Sequence, residues 1–285
     1  MSDPLPDEDG FLEDGPHRVH FERHGTGGAE TFVLFNGLAM HTKAWYGFLP
    51  RLRPEFDVVL FDYLGQGESS DAEGDFLIPD LARHLAAILD RLGVARVHAM
   101  GISYGGFVAA EFARLFPGRL HTLTLSGIHL SHETLFSTYQ EVSLAFYAGG
   151  EPLFDLYTRY LYEKIFGESF ATRAAEKLPH MRRGFHDRFR GRIGSLVKLT
   201  LAQDPFFASL DANLPGYRAI GAPALVLAGD EDRAIPPRAQ RKIAGLLPSC
   251  RYEEIPGAGH VAYLEEPELF WDRVVRFARA KDAAA

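Results

Sequence analysis

The chain has 285 residues, 46% hydrophobic and 24% charged, with a formal net charge of −8 and one cysteine. That size suits one large domain carrying an insertion, or two domains; the acidic balance argues against a nucleic-acid partner, because nothing neutralises phosphates in bulk, and a single cysteine excludes an internal disulfide and a cysteine-based metal cluster. No apolar run of about 18 residues and no basic-then-apolar N-terminus is present, so no membrane span and no signal peptide is expected, and a cytoplasmic location is the default expectation.

Asp14-Gly15 fits the turn of a hairpin whose second strand is His17–His24. Three histidines lie there, but on a strand His20 and His24 share a face that His17 does not. The spacing fits usual zinc sites poorly, and solvated strand histidines are the expected reading. After the turn Gly25-Thr26-Gly27-Gly28, Thr31–Phe35 is a continuous apolar strand of the kind buried on both faces of a parallel sheet. It runs into Asn36-Gly37-Leu38. A helix is expected around Lys43–Leu52, then a second buried strand at Asp57–Phe61. The segment Asp62-x-x-Gly65-x-Gly67-x-Ser69 reads as a turn held by Asp and Ser side-chain hydrogen bonds. A helix over 77–92 follows, with its apolar stripe at Leu81, Leu85, Ile88, Leu89 and Leu92, stopped by Gly93.

Ala95–Met100 is strand-like and Phe107–Phe116 has helical period. Between them stands Gly101-Ile102-Ser103-Tyr104-Gly105, a G-x-S-x-G in the strand–turn–helix context that a nucleophile elbow requires. The turn is tight enough that side chains at its flanks would collide, and glycine relieves this because it has no Cβ. The Ser103 hydroxyl then stands clear of the backbone at a helix N-terminus, where developing negative charge is favoured.

Leu120–Leu125 is a further strand, and there the β-α alternation stops. Residues from about 130 to 215 read as helical and aromatic-rich, without strand alternation or repeat. Alternation resumes with the strand Ala224–Ala228, a helix over 237–247, the strand Arg251–Ile255 and a last helix from about Pro267 to Ala280. Cys250 reads as a buried small hydrophobe at a strand start. The pattern predicts an α/β fold with a mainly parallel sheet. The core would comprise 1–129 and 216–285, with 130–215 as a helical cap over the carboxyl edge, where open α/β sheets bind ligands.

A serine hydroxyl is a poor nucleophile without a base in hydrogen-bond reach and a carboxylate to orient that base. Past the strand Ala224–Ala228 comes Gly229-Asp230-Glu231-Asp232-Arg233. Past Arg251–Ile255 comes Pro256-Gly257-Ala258-Gly259-His260. Of the chain's 12 histidines, only His260 follows a late strand through a Gly-rich loop. Both segments follow strand C-termini, the same edge as Ser103, in the chain order serine, acid, histidine.

On these residues the chain resembles the α/β-hydrolase superfamily over nearly its full length. The resemblance implies an eight-stranded, mainly parallel sheet flanked by helices. It places the acid at Asp232, three residues after the strand-ending glycine, with Asp230 and Glu231 as local alternatives, and the base at His260. The oxyanion hole would be the backbone N–H groups of Tyr104 and, by position in the loop after the third strand, Leu38. The family usually carries His-Gly in that loop; here Asn36 replaces the histidine, and its side chain is expected to anchor the loop instead. Members that open epoxides or break carbon–halogen bonds use an aspartate at the elbow, so Ser103 favours acyl transfer through an acyl-enzyme.

The leading expectation is a carboxylic ester hydrolase acting on an apolar acyl or aryl ester. The alternative is an acyltransferase. Asn36-Gly37, Phe56–Asp62 and Leu247-Pro248-Ser249-Cys250 are similar to transferases that take 3-hydroxyacyl thioesters from acyl carrier protein. That acidic partner would need a basic patch, for which Arg182, Arg183, Arg188, Arg190, Arg192 and Lys198 are candidates, although such runs are commonly solvated helix faces. A third reading is a non-catalytic ligand-binding module on the same fold. The sequence carries no Walker loop, dinucleotide-type glycine pattern or zinc spacing, so no cofactor or metal is expected.

Overall fold

The computed structural model describes residues 4–72, 74–189 and 191–281. It opens with the hairpin of β1 (Glu8–Asp14) and β2 (His17–His24), turned at Gly15 with φ of 57°. Then come β3 (Thr31–Phe35), a 3-10 segment at Thr42–Phe48, α1 (Leu49–Leu52), β4 (Asp57–Phe61), α2 (Ile78–Arg91), β5 (Val97–Ile102), α3 (Tyr104–Leu115) and β6 (Leu120–Ser126). A helical stretch follows: α4 (Thr134–Ala148), α5 (Glu151–Ile165), α6 (Glu168–Arg173), α7 (Leu178–Phe189), α8 (Ile193–Leu201), α9 (Gln203–Ala208) and α10 (Leu210–Arg218). The chain closes with β7 (Ala224–Gly229), α11 (Pro237–Ala244), β8 (Cys250–Ile255), α12 (Ala262–Glu265) and α13 (Pro267–Ala280).

The eight strands form one sheet in the order β1-β2-β4-β3-β5-β6-β7-β8. The two pairings of β2 are antiparallel and all others are parallel. The central strands are largely apolar and buried because both faces are covered, and alternate residues serve opposite sides. Val33, Phe35, Val59, Phe61, Ala99 and Val226 face the cluster under α2, α3 and α11. Phe32, Leu34, Val58, Leu60, Met100 and Leu227 face the cluster under α1 and α13. Because β3 to β8 run parallel, the loops after β3, β5, β6, β7 and β8 emerge at one edge.

The helical stretch divides by packing. Tyr147, Phe154, Tyr157, Phe189 and Leu196 make a small core of their own with Ala39. Leu199, Phe206, Leu210 and Tyr217 join the cluster under α3, where the Tyr217 hydroxyl donates to the buried Glu111 carboxylate.

Three expectations need correction. The helix around Lys43–Leu52 is a 3-10 segment followed by a four-residue α-helix with Pro50 in its first turn; proline suits a helix start, and without an N–H it cannot donate the bond that would continue one helix through this point. The strand histidines are not solvated: His20 and His24 are buried and His17 is half-buried. Each of the two buried histidines has carboxylate partners in place of water, His24 with Glu22 at 2.9 Å and His20 with Asp62 at 3.2 Å and Asp9 at 2.8 Å. Cys250 is half-buried rather than buried, and burial still pushes its thiol up to about 12.

Candidate active site

Between β5 and α3 the backbone turns at Ser103 with φ 50° and ψ −125°, a conformation that L side chains rarely adopt. Sterics explain the flanking glycine: a Cβ at Gly105 would lie 2.5 Å from the Asn36 carbonyl oxygen and 2.6 Å from the Phe35 carbonyl carbon. The turn therefore places Ser103 at the N-terminus of the 12-residue α3, with its hydroxyl directed away from the sheet.

His260 Nε2 lies 2.9 Å from Ser103 Oγ, and His260 Nδ1 lies 3.0 Å from Asp232 Oδ2. Asp232 is buried, and four groups surround its two oxygens. Oδ1 accepts from the Ala234 and Ile235 N–H groups, each at 2.9 Å, and Oδ2 accepts from Gln240 Nε2 at 2.9 Å as well as from His260. The neighbouring acids have other work. Asp230 accepts from Gly257 N–H at 2.7 Å, and Glu231 accepts from Ser169 N–H at 2.8 Å. The histidine ring presses on Gly127, whose φ is 64°; a Cβ there would meet His260 Cε1 at 2.8 Å.

The loop after β3 is held through Asn36. Its Nδ2 donates to Phe61 O at 2.9 Å and Asp62 Oδ1 at 3.2 Å, while its Oδ1 accepts from Trp45 Nε1 at 2.7 Å. Asp62 also accepts from Thr42 N–H at 2.7 Å, Glu68 N–H at 3.0 Å and the His20 ring at 3.2 Å. The segment read as a simple turn thus also braces the Asn36 loop. Burial by itself would lower the His20 pKa, but Asp62, Asp9 and Glu22 outweigh it and raise it to about 9.

Leu38, Tyr104, Ser103 and His260 all line one cavity of about 500 Å³. Its opposite wall comes from the helical stretch, chiefly through Phe136, Tyr147, Tyr157 and Phe185. Among the described residues no group of three or more His, Cys, Asp or Glu side chains is placed to hold a metal ion, and no helix is long and apolar enough to cross a membrane.

A family model described as the alpha/beta hydrolase fold matches residues 30–267. The chain belongs to that family. Among its relatives, the 2-hydroxy-6-oxononadienedioate/2-hydroxy-6-oxononatrienedioate hydrolase of Burkholderia vietnamiensis is 29% identical over 276 residues, covering 94% of this chain and 93% of the relative. Among solved structures, a thermophilic esterase from Thermogutta terrifontis superposes with a TM-score of 0.79 at 23% identity, covering 96% of this chain and 99% of that one. The enol-lactonase of Burkholderia xenovorans gives 0.78 at 23% identity, covering 94% and 98%.

In this α/β hydrolase several residues at the site carry no sequence signal. Gln240, on α11, joins two loops: besides Asp232 it binds the Gly127 N–H, which donates to Gln240 Oε1 at 2.8 Å. Glu265 is buried and accepts from Gly167, Gly259 and Val261 N–H at 2.9, 2.9 and 3.2 Å. Burial pushes its carboxyl up against the opposing pull of those donors. The His260 N–H donates to Ile165 O, the last residue of α5, at 2.8 Å. The basic run separates: Arg192 binds Asp71 at 3.0 Å, Lys198 binds the Ala72 carbonyl, and Arg188 lines the cavity. Arg190 lies outside the described residues.

Proposed function

We propose that the chain is a serine hydrolase of carboxylic esters with an apolar acyl or aryl group. The observation that carries this reading is the unbroken series Ser103–His260–Asp232, with separations of 2.9 and 3.0 Å, at the floor of an aromatic-lined cavity. His260 Nε2 accepts the Ser103 proton as Oγ attacks the ester carbonyl. Asp232 fixes the ring so that Nδ1 carries its hydrogen, and it stabilises the imidazolium that forms. The N–H groups of Leu38 and Tyr104 receive the charge on the tetrahedral oxygen, aided by the α3 dipole. His260 then protonates the departing alcohol, and water, activated by the same histidine, releases the acid from Ser103. Gln240 and the Ala234 and Ile235 N–H groups hold Asp232 stationary, each donating to its carboxylate.

In the same reading, residues 130–215 are a cap on a core of 1–129 and 216–285. Their aromatics supply the apolar wall that excludes water and sizes the substrate. The hydrolase and esterase among the similar proteins support hydrolysis as the reaction class.

The test pairs a serine-directed fluorophosphonate with p-nitrophenyl esters of increasing acyl length. Wild type should be labelled and should release p-nitrophenol with a chain-length optimum. Ser103→Ala should do neither while melting as a folded protein. Labelling that persists in Ser103→Ala, or a wild type that hydrolyses none of the esters, overturns the assignment.

A further inference from the structure

The chain is acidic, with net charge −8, yet its cavity is not. Lys164 and Arg188 line it, and among the described residues no Asp or Glu side chain does. Lys164 lies on α5, one residue before the Ile165 carbonyl that holds the His260 N–H. Its ammonium sits over two rings, Tyr139 at 4.6 Å and Tyr160 at 5.1 Å. No described carboxylate makes an ion pair with it within 4.0 Å. Asp232 is near enough to act on it electrostatically, but that carboxylate is already engaged by His260, Gln240, Ala234 and Ile235.

A half-buried ammonium loses part of its solvation, which an ion pair would return. Two tyrosine faces return only a share of it. Burial pulls the Lys164 pKa down to about 8, against an upward pull from Asp232; at pH 7 about nine tenths of it is still protonated. A lysine kept for packing alone would be better served by an apolar side chain. A cation with no ion-pair partner among the described residues, in the cavity that holds the serine, is complementary to an anion that arrives with the substrate. Lys164 on α5 and the exposed Arg188 on α7 can each donate a charge-assisted hydrogen bond to a carboxylate.

We propose that Lys164 recognises a carboxylate on the substrate, with Arg188 as a second cation, so that the preferred esters are acid-bearing: half-esters of dicarboxylic acids, or esters whose leaving alcohol carries a carboxylate. This deepens the ester-hydrolase reading and rests on it.

The test uses two matched pairs of esters. The first is mono-p-nitrophenyl adipate against its terminal-amide counterpart, with the charge on the acyl half. The second is the hexanoyl ester of 4-hydroxybenzoate against that of 4-hydroxybenzamide, with the charge on the leaving group. Wild type should favour the acid in at least one pair by tenfold or more in kcat/KM, and that pair identifies the half that meets Lys164. Lys164→Met should bring the ratio near one, mainly through KM, and Lys164→Arg should keep part of it. Arg188→Met, at an exposed position, should lower the ratio by a smaller factor. A wild-type ratio near or below one in both pairs overturns the proposal without any variant, as does a ratio unchanged in Lys164→Met. Should wild type be labelled at Ser103 but hydrolyse none of the four esters, labelling kinetics decide. Adipate, and not adipamide, should slow labelling in wild type and lose that effect in Lys164→Met; no protection overturns the proposal. Absence of Ser103 labelling would instead remove the hydrolase reading beneath it.

Discussion

Replacing Ser103 by glycine should stabilise the protein relative to replacing it by alanine, against the usual order of those two residues. Both substitutions remove the hydroxyl and its 2.9 Å contact with His260, so their difference isolates the Cβ. At φ 50° and ψ −125° a residue with a Cβ is strained by about 1–3 kcal/mol. Glycine escapes that strain but loses about 0.5–1 kcal/mol more conformational freedom than alanine on folding. The net is about 0–2.5 kcal/mol in favour of Ser103→Gly. For a chain of this size that corresponds to a melting temperature higher by up to about 4–5 °C. Thermal unfolding of the two variants, side by side and followed by circular dichroism, gives the difference directly. A Ser103→Gly protein that melts below Ser103→Ala would refute the claim that the backbone stores strain at this residue. The wild type belongs in the same series. If its position lies below Ser103→Gly, the nucleophile is held at a cost to stability.

Three further outcomes are expected. Gln240→Leu removes one donor from Asp232 and leaves the Gly127 N–H without its acceptor. It should lower stability by about 1–3 kcal/mol and reduce kcat with little change in KM, measured by melting and by ester kinetics. Glu265→Gln turns an acceptor for three N–H groups into a side chain with its own donors, which should also cost about 1–3 kcal/mol; a melting temperature equal to wild type would contradict the packing described. His20 gives a pH signature. Its folded pKa of about 9 lies above the unfolded value of about 6.5, so its stabilisation is complete below pH 6.5 and fades as pH rises through about 9. Urea unfolding between those pH values should show a decline that is absent in His20→Gln.

Ser103 was legible because the elbow is a local steric problem. The strand before it, the helix after it and glycines two residues to either side are all consequences of one tight turn, and they fall within 19 residues, 97–115. The apolar strands were legible for a similar reason, since burial on both faces leaves continuous runs such as Thr31–Phe35. His260 and Asp232 required one further step, that parallel strands deliver their C-terminal loops to the same edge. Beyond that the sequence thins out. Gln240 reaches Asp232 from eight positions away and Gly127 from much farther, and no pattern in its own helix announces either contact. Lys164 reads as one more cation on an amphipathic helix until α5 is laid against the loops of the sheet. His20 was misread because strand alternation says which residues share a face and not what covers that face. The cover is the Asp62 segment and the β1 strand, and both must fold before the histidine is enclosed.

The junction between α5 and α6 ties the helical stretch to the loops of the sheet. The Ile165 carbonyl holds the backbone of His260, the Gly167 N–H shares Glu265 with the Gly259 N–H, and Arg233 donates to the Phe166 carbonyl at 2.8 Å. This suture crosses from the helical stretch to the very loops that carry His260 and Asp232. A helical stretch transplanted from a relative onto this sheet would therefore have to bring, or preserve, residues 165–169 together with their partners at 231–233 and 259–265.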